Sequence, residues 1–568
     1  MIKWPWGRSE IKYDQRAKDI APDEIFVDSS NLPNFDTSQF EGRLEKSISR
    51  RSLFILGGAF LLIIIIFIFR IGNLQIQKGD LYLTKSENNY LRNSLIFAKR
   101  GVIYDRAGTN LVWNVENTTD LAFDLRKYIS LDGFAHLLGY LKYPAKDKYG
   151  FYFSEIFDGK AGVEKDYNDI LSGENGKRIV EVNALGDIQS ENTIHLPQDG
   201  EDLHLSIEAG IQNKMYQEIK NLANLVGFTG GAGVIMDVNN GEILALTSYP
   251  EYNSQILTDG QNTIAINKYL NDKNNPFLNR VIDGLYTPGS TVKPYLAFAA
   301  LNENIIDPYT NIYSAGYLSL PNPYDPSNPS IFKDWKAHGY VDMKKALAVS
   351  SDVYFYEIGG GFENQKGLGI ANIDKYMKMF GFGETLNSSF FSGVQGIIPT
   401  PEWKAKTFLE DPDWRVGNTY HTSIGQYGFQ VSPIQLVRAV ASLANGGKLI
   451  EPQILLNSAN QTTDLNLNHD YLKIVKDGMR DGVIKDYGVA KGLNSVDYSV
   501  AAKTGTAELG MYKQFVNSWV TGFFPYENPK YAFVIIMEKG PVANTTGALS
   551  VMRQVLDYMA VNKAKYLK

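Results

Sequence analysis

A continuous apolar run near the N-terminus dominates the hydrophobic pattern of the chain. Leu53–Phe69 is a run of seventeen residues that are apolar or glycine, with isoleucine at every position of 63–66. At about 1.5 Å per residue, a helix over this run is roughly 26 Å long, close to the thickness of a membrane's hydrocarbon core. Ile71 extends the span, and Arg70 can snorkel to the headgroups. We therefore predict a single transmembrane helix over residues 51–71.

The charges that flank this run indicate its orientation. Basic residues precede it at Arg43, Lys46, Arg50 and Arg51 and follow it at Arg70 and Lys78. The positive excess before the run predicts a cytoplasmic N-terminus and an extracytoplasmic bulk. Residues 1–50 are polar without an apolar period, which predicts a mostly disordered cytoplasmic tail. A buried soluble helix fits less well because the run lacks a polar face, and a cleaved signal peptide because the run starts so late.

The pattern beyond the run predicts two further regions. Residues 72–200 alternate strand-like and loop segments, which indicates an elongated, strand-rich pedestal. Residues 201–568 carry both helix and strand periods and predict a larger second domain. Its expected elements are a helix over Ile207–Leu225, a hairpin of Gly233–Asp237 with Glu242–Thr247, strands at Tyr498–Thr506, Ser518–Phe524 and Tyr531–Met537, and a final helix over Ala548–Asn562.

These elements predict a multidomain α/β (α+β) fold, with helices on both faces of an antiparallel sheet. Residues 303–340, rich in Asn, Pro and Tyr, predict a long irregular segment. Loops of this length inside compact domains are usually functional, so we expect the segment to rim a cleft.

Composition narrows the classes of function. The 568 residues carry a net charge of −6, which gives no general attraction to nucleic acid. Cysteine is absent, so the chain has no disulfide and no thiolate metal site. We predict no metal and no cofactor.

Three short motifs carry the candidate chemistry. They are Ser290-Thr291-Val292-Lys293, Ser350-Ser351-Asp352 and Lys503-Thr504-Gly505-Thr506. Each alone is weak, and S-x-x-K also occurs at Ser9–Lys12 and Ser330–Lys333. Their order, however, is the S-x-x-K, S-x-N/D, K-T-G order of penicillin-binding proteins and serine β-lactamases.

The first motif differs from its two copies because it precedes an apolar helical run. Pro288-Gly289 predicts a turn, and Tyr295–Leu301 continues as a helix. A proline at 294 is tolerated because the N–H groups of a first helical turn are unpaired in any case. Ser290 is thus expected at a helix N-terminus, with Lys293 one turn on and on the same face.

Two further segments separate the possible families. Arg100-Gly101-Val-Ile103-Tyr-Asp105-Arg106-Ala-Gly108 matches an R-G-x-I-x-D-R-x-G pattern, and Gly159-Lys-Ala-Gly162-Val-Glu164-Lys-Asp-Tyr167 matches G-x-x-G-x-E-x-x-Y. With these segments the chain, from about Leu74 to its end, resembles the class B penicillin-binding proteins. Asp334-Trp335-Lys-Ala-His338-Gly339 makes it most similar to the elongation-type penicillin-binding protein 2 group. The resemblance implies a transpeptidase domain of the penicillin-binding/serine β-lactamase-like fold on the pedestal.

The chemistry of acyl transfer assigns roles to the motif residues. The Ser290 hydroxyl needs a base, and Lys293 can serve only when burial and the like charge of Lys503 favour its neutral form. Ser350 would pass the proton to the departing amine, and the N–H groups of Ser290 and Thr506 would form an oxyanion hole. We expect the substrate to be held by Asp352, Thr504, Gly505 and Thr506, with Lys503 beside its carboxylate. The charges of Arg100, Asp105 and Arg106 are expected to form intramolecular ion pairs.

The resemblance also implies substrates and partners. It implies a D,D-transpeptidase of the bacterial inner membrane that crosslinks lipid-linked stem peptides and peptidoglycan strands and is acylated by β-lactams. A polytopic SEDS-family, RodA-like glycosyltransferase is the expected partner, met through the membrane helix and pedestal. The head lobe found in many family members is shortened here. Some relatives hold zinc with a cysteine next to the S-x-D serine, a place that Ser351 occupies in this chain.

Three alternatives remain from the sequence. A division-type transpeptidase would share the chemistry and differ in cell localisation. In a D,D-carboxypeptidase or β-lactamase, water would resolve the acyl-enzyme, and the two pedestal segments argue against that class. A non-enzymatic scaffold or β-lactam sensor would not require Lys293, Ser350 and Lys503 to be intact.

Overall fold

The chain forms two compact units, Met1–Tyr90 and Leu91–Lys568. The computed structural model describes residues 50–80, 82, 91–118, 122–147, 152–182, 188–322, 325–386, 388, 390–510 and 512–567. Of the predicted cytoplasmic tail, residues 1–49 lie outside the described residues.

The apolar run forms the helix that the sequence predicts. Helix α1, Arg50–Gly72, continues into a π-helical turn at Asn73–Gln77. Leu53–Gln77 spans 25 residues with a mean hydropathy of 2.8, and none of it is buried. Within the described residues it is the one helix whose length and composition suffice to cross a membrane. This is consistent with a single-pass anchor.

Residues 91–204 are built mainly from short strands. They are β1 Leu91–Ile96, β2 Ile103–Tyr104, β3 Asn110–Val115, β4 Leu125–Tyr128, β5 Tyr140–Lys142, β6 Ala145–Lys146, β7 Tyr152–Ser154, β8 Asp158–Ala161, β9 Gly176–Val182, β10 Ile188–His195 and β11 Leu203–His204. One sheet has the order β1-β9-β10, a second has the order β11-β2-β3-β4, and β5 pairs with β8 and β6 with β7. The short helices between them are α2 Ala135–Leu138, α3 Gly162–Asp166 and α4 Asn168–Ser172.

A buried ion triad holds this region together. Glu164 is fully buried and accepts from Arg100 Nε at 2.7 Å and from Arg126 Nε at 2.8 Å. Burial alone would raise the pKa of Glu164, but the two guanidinium groups hold that pKa below its usual value. The predicted ion-pair role thus fits Arg100, and it fits Arg106, which pairs with Glu242 at 3.1 Å. Asp105 instead accepts backbone N–H groups.

The second half of the chain centres on a five-stranded antiparallel sheet of order β13-β12-β22-β21-β20. The strands from residue 230 onward are β12 Gly230–Asp237, β13 Ile243–Tyr249, β14 Ile312–Ser314, β15 Tyr317–Leu320, β16 Ser330–Lys333, β17 Gly339–Val341, β18 Lys448–Ile450, β19 Thr462–Asp464, β20 Ala501–Leu509, β21 Phe515–Phe524 and β22 Tyr531–Pro541.

Helices cover both faces of this sheet. The helices in this half of the chain are α5 Ala209–Val226, α6 Ser254–Asp259, α7 Thr263–Leu270, α8 Lys293–Asn302, α9 Met343–Val349, α10 Asp352–Gly360, α11 Gly369–Met379, α12 Pro401–Thr407, α13 Val416–Ser423, α14 Pro433–Ala444, α15 His469–Ile484 and α16 Ala548–Asn562. Successive side chains of β22 point to opposite faces of the sheet and so pack in two separate hydrophobic cores. Phe533 and Ile535 pack with α5 and α16, whereas Val534 and Ile536 pack with α8 and α14. The predicted fold class is confirmed.

Two local predictions are wrong. Residues 303–340 are not irregular throughout, because β14 pairs with β17 and β15 with β16. Prolines and asparagines in this segment lie between the short strands and hid their alternating pattern. The strand predicted over Tyr498–Thr506 runs over Ala501–Leu509, because its pairing with β21 extends beyond the K-T-G motif.

Candidate active site

Ser290 lies on a tight turn directly before helix α8. Gly289–Val292 form one 3₁₀ turn, and the α-helix begins only at Lys293, so the predicted helix start is shifted by three residues. Gly289 has φ 54°, and a Cβ there would lie 2.6 Å from the carbonyl oxygen of Thr506. Only glycine lets this left-handed turn approach β20 so closely. The Ser290 side chain is half-buried and has no hydrogen-bond partner among the described residues.

Lys293 is fully buried beneath this turn and has several fixed neighbours. Its Nζ donates to Oδ1 of Asp352 at 2.6 Å and to the carbonyl oxygen of Ser350 at 2.9 Å. The same Nζ lies 3.4 Å from Ser350 Oγ and 5.3 Å from the ring centroid of Phe355. The Asp352 carboxylate therefore balances the charge of this buried ammonium group.

Ser350 brings its hydroxyl between two lysines. It lies between α9 and α10 with φ 58° and ψ 42°, a left-handed conformation that non-glycine residues seldom adopt. This turn directs Ser350 Oγ to Lys503 Nζ at 2.7 Å as well as to Lys293. A strained backbone that places a functional group is a common feature of active sites.

Lys503, on edge strand β20, is the second fully buried lysine. Its Nζ also donates to the carbonyl oxygen of Thr504 at 2.8 Å. The pKa of Lys503 lies well below its usual value, because burial and then the nearby Lys293 ammonium disfavour its charged form. The Asp352 carboxylate acts in the opposite direction but is outweighed. The site thus favours a neutral Lys503 beside a charged partner.

The K-T-G strand packs directly on the turn that carries Ser290. A Cβ on Gly505 would lie 2.7 Å from Thr291 Cγ2 and 2.9 Å from the carbonyl oxygen of Pro288. Glycine at this position therefore sets the spacing between β20 and the turn. Thr504 is half-buried and Thr506 is exposed, so both can be reached along this open sheet edge.

A hydrogen-bond network supports the S-x-D motif from behind. Asp334 Oδ2 accepts from Ser351 Oγ at 2.8 Å, from Ser314 Oγ at 3.2 Å and from the backbone N–H of Val353 at 3.0 Å. Burial would raise the pKa of Asp334, but His338 and the backbone N–H groups of Val353 and Asp352 lower it to about 2. His338 Nε2 lies 3.4 Å from Asp334 Oδ1. In the sequence Asp334 and His338 show only a family resemblance, and their spacing alone could not reveal this role.

These residues do not fit the zinc site of some relatives. Ser351 stands where those relatives have cysteine, and a serine hydroxyl is not among the usual zinc ligands. Its proton already goes to Asp334. Among the described residues no group of three or more His, Cys, Asp or Glu side chains could hold a metal ion.

A cavity of about 690 Å³ lies away from this cluster. It is lined by the loop that follows α10, including Phe362, Glu363 and Lys366, together with Leu320 and Tyr420. It contains none of the motif residues, so its size does not make it the candidate site. The structure instead brings together Lys293, Ser350, Asp352 and Lys503, with Ser290 and Gly505 on the adjoining turn and strand.

Comparison with protein families gives two matches. Residues 231–557 match the penicillin-binding protein transpeptidase domain, and residues 121–205 match the penicillin-binding protein dimerisation domain. The first match contains all three motifs and covers more than half of the chain.

Curated relatives extend this similarity along the chain. The peptidoglycan D,D-transpeptidase MrdA of Haemophilus influenzae is 31% identical over 471 residues, covering 76% of this chain and 69% of the relative. MrdA of Acinetobacter baumannii is 29% identical over 626 residues, covering 92% of this chain and 89% of the relative.

Solved structures agree. Pseudomonas aeruginosa PBP2 in complex with WCK 5153 has a TM-score of 0.69 at 28% identity, covering 84% of this chain and 98% of that one. The PBP2 of Helicobacter pylori in complex with MreC has a TM-score of 0.68 at 27% identity, covering 83% of this chain and 100% of that one.

Proposed function

The chain belongs to the penicillin-binding protein transpeptidase family, in its elongation-type penicillin-binding protein 2 group, and we propose that it crosslinks peptidoglycan through an acyl-enzyme on Ser290. One observation carries this assignment. The Ser350 hydroxyl lies between the two buried lysines, 2.7 Å from Lys503 Nζ and 3.4 Å from Lys293 Nζ, and Lys293 begins the helix that directly follows the turn of Ser290.

Acylation begins when Ser290 Oγ attacks the carbonyl carbon of the penultimate D-Ala of a donor stem peptide. The new Oγ–C bond forms as the C–N bond to the terminal D-Ala breaks. The Ser290 proton goes to Lys293, and a proton reaches the departing amine through Ser350. The backbone N–H groups of Ser290 and Thr506 would stabilise the oxyanion.

Lys293 must be neutral before it can accept that proton. The lowered pKa of Lys503 keeps that lysine neutral in the free site, so it can take a proton from the Lys293 ammonium through Ser350 Oγ once the substrate carboxylate favours a charged Lys503. The transfer leaves a charged Lys503 on the strand that faces the substrate. Lys503, Thr504 and Thr506 then hold the carboxylate of the donor, and Gly505 keeps the strand close to the turn. Asp352 fixes the position of Lys293 and stabilises its charged form before the substrate binds.

Deacylation completes the crosslink. An amine of a neighbouring stem peptide attacks the acyl-enzyme carbonyl, the Ser290 Oγ–C bond breaks, and the serine recovers its proton. A β-lactam acylates the same serine, because its strained amide carbonyl takes the place of the donor peptide bond.

Fluorescent penicillin labelling tests the nucleophile. Ser290→Ala should abolish covalent labelling, because the attacking oxygen is removed while the surrounding packing is kept. Ser330→Ala is the matched control, since Ser330 starts another S-x-x-K copy but is exposed on β16. Labelling of Ser290→Ala at the wild-type rate would show that another residue is the nucleophile.

We place the pedestal at residues 72–200 and the transpeptidase domain at residues 201–568. Contacts that cross this boundary, such as Arg106 with Glu242 at 3.1 Å and the backbone N–H of Gly133 with Glu251 at 2.6 Å, support a firm attachment of the two.

Helix α1 is proposed to anchor the chain in the bacterial inner membrane with its N-terminus cytoplasmic. The Helicobacter pylori relative forms a complex with MreC, which supports partners in cell-wall synthesis for this chain too. We propose that one partner is a RodA-like glycosyltransferase, which would supply new glycan strands next to the crosslinking site.

A further inference from the structure

Two tyrosines face outward from the small sheet of β14 and β17. Tyr313 and Tyr340 are direct cross-strand partners, and their ring centroids lie 5.0 Å apart. Tyr313 is 59% exposed and Tyr340 is 66% exposed, whereas the neighbours Ile312 and Val341 are buried. The alternation of the strands therefore assigns the aliphatic side chains to the core and both rings to the surface.

A third exposed aromatic side chain, Trp335, lies between this pair and the candidate active site. Its ring centroid lies 5.0 Å from that of His338, whose backbone N–H donates to the carbonyl oxygen of Ser314 beside Tyr313. On its other side, the Trp335 indole N–H donates to the carbonyl oxygen of Val349 at 3.2 Å. Val349 directly precedes Ser350, so Trp335 lies beside the catalytic cluster.

Tyr313, Trp335 and Tyr340, here called the aromatic surface, are each more than half exposed. Trp335 is 54% exposed, and the Lys336 ammonium lies 4.6 Å from its ring centroid. Exposed aromatic side chains that lie close to a catalytic site are candidates for a binding surface. Tyrosine and tryptophan are suited to this because each combines a large flat face with a polar group at its edge.

We propose that the aromatic surface binds the glycan strand of peptidoglycan and guides its stem peptide towards Ser290. This inference rests on the proposed function, because that function makes a glycan-linked peptide the substrate. The backbone of such a strand is a chain of pyranose rings whose C–H faces are apolar and whose edges carry hydroxyl groups. Flat aromatic rings complement those faces, and tyrosine hydroxyls complement the edges.

Binding of peptide-free glycan strands to the full chain in detergent tests this surface separately from catalysis. Tyr313→Thr with Tyr340→Thr removes both rings but keeps strand-favouring side chains. Its affinity for the strands should fall about tenfold, the loss expected when two ring contacts are removed. Tyr313→Phe with Tyr340→Phe keeps the rings and should retain most of the affinity. Phe153→Ala, at an exposed aromatic residue of the pedestal strand β7, should leave the affinity unchanged.

Penicillin acylation of every variant is measured in parallel. An unchanged acylation rate in the threonine variant, together with weakened glycan binding, supports the proposal. Equal glycan binding by the threonine variant and the wild type would overturn it, as would absence of binding by the wild type.

Salt dependence distinguishes a different ligand. If binding falls steeply with salt and with Lys336→Gln, but not with the threonine variant, the surface recognises an anionic polymer through its lysines and the proposal is wrong. Loss of penicillin acylation in the wild type, with glycan binding intact, would instead contradict the proposed function alone.

Discussion

The side chains of Lys293 and Lys503 share one hydroxyl, that of Ser350, and differ in what else they contact. Lys293 is paired with the Asp352 carboxylate at 2.6 Å. Lys503 has only oxygen atoms of Ser350 and Thr504 as hydrogen-bond partners among the described residues. Because one lysine has a counter-ion and the other does not, a proton can be held unequally between them.

The effect of Asp352 on the two lysines predicts how the rate of acylation depends on pH. The Asp352 carboxylate raises the pKa of Lys503 against the stronger lowering by burial. Below its pKa Lys503 is protonated and cannot take the proton of Lys293, so acylation falls as the pH falls. Asp352→Asn removes this raising influence on the pKa of Lys503, so the fall in the penicillin acylation rate towards acid should occur at a lower pH than in the wild type.

The control is Asp169→Asn, at an exposed carboxylate of the pedestal helix α4. The acylation rate of this variant should fall at the same pH as that of the wild type. If the acylation rate of Asp352→Asn fell at the wild-type pH, or at a higher pH, the coupling of Asp352 to the two lysines would be contradicted.

The motif residues could be predicted from the sequence because acyl transfer needs a nucleophile, a base and a carboxylate site in a fixed order. Their contacts could not. The pairing of Asp352 with Lys293, and of Asp334 with Ser351, joins segments far apart in sequence or depends on a left-handed turn at Ser350.

At the scale of elements, the spacing between strand β20 and the turn of Ser290 depends on glycine. Gly505→Ala should lower the acylation rate about a hundredfold, because the new Cβ would force the strand away from Pro288 and Thr291. Gly482→Ala in α15 is the control, since its Cβ would meet Ala502 at an ordinary 3.5 Å. Rates measured with a chromogenic β-lactam would show the difference, and a Gly505→Ala enzyme with normal acylation would refute the packing argument.

Helices and strands with a regular spacing of apolar residues could be predicted, and those without a regular spacing could not. The final helix Ala548–Asn562 has the bounds that the sequence predicts, because its apolar stripe is regular. The strands β14 to β17 have only three or four residues each. Too few alternations fit into such strands for the sequence to distinguish them from a loop.

At the scale of the whole molecule, helix α1 is expected to do more than anchor the chain. A Cβ added at Gly57 or Gly58 would meet no atom within 4 Å, so both positions are open to a second helix. Gly57→Leu with Gly58→Leu should leave penicillin labelling normal and lower co-purification with a RodA-like glycosyltransferase severalfold. Undiminished co-purification at matched expression would reduce the helix to an anchor.

The overall architecture could be predicted from the order in which different patterns of apolar residues occur along the chain. An apolar run forms the exposed helix α1, a strand-rich stretch forms the short sheets, and a mixed stretch forms the five-stranded sheet with its helices. Sheet order was not accessible, because β12 pairs with β22 across nearly three hundred residues of sequence. Such pairings are set by the packing of two cores and leave no local signal.

Product analysis of a crosslinking reaction is the direct test of whether the chain crosslinks peptidoglycan through Ser290. The full chain in lipid vesicles would be given uncrosslinked glycan strands with pentapeptide stems, and the products identified by mass spectrometry. We predict crosslinked dimers with one D-Ala released per crosslink, and neither product with Ser290→Ala. Release of D-Ala without dimers, or dimers formed by Ser290→Ala, would contradict a transpeptidase that works through Ser290.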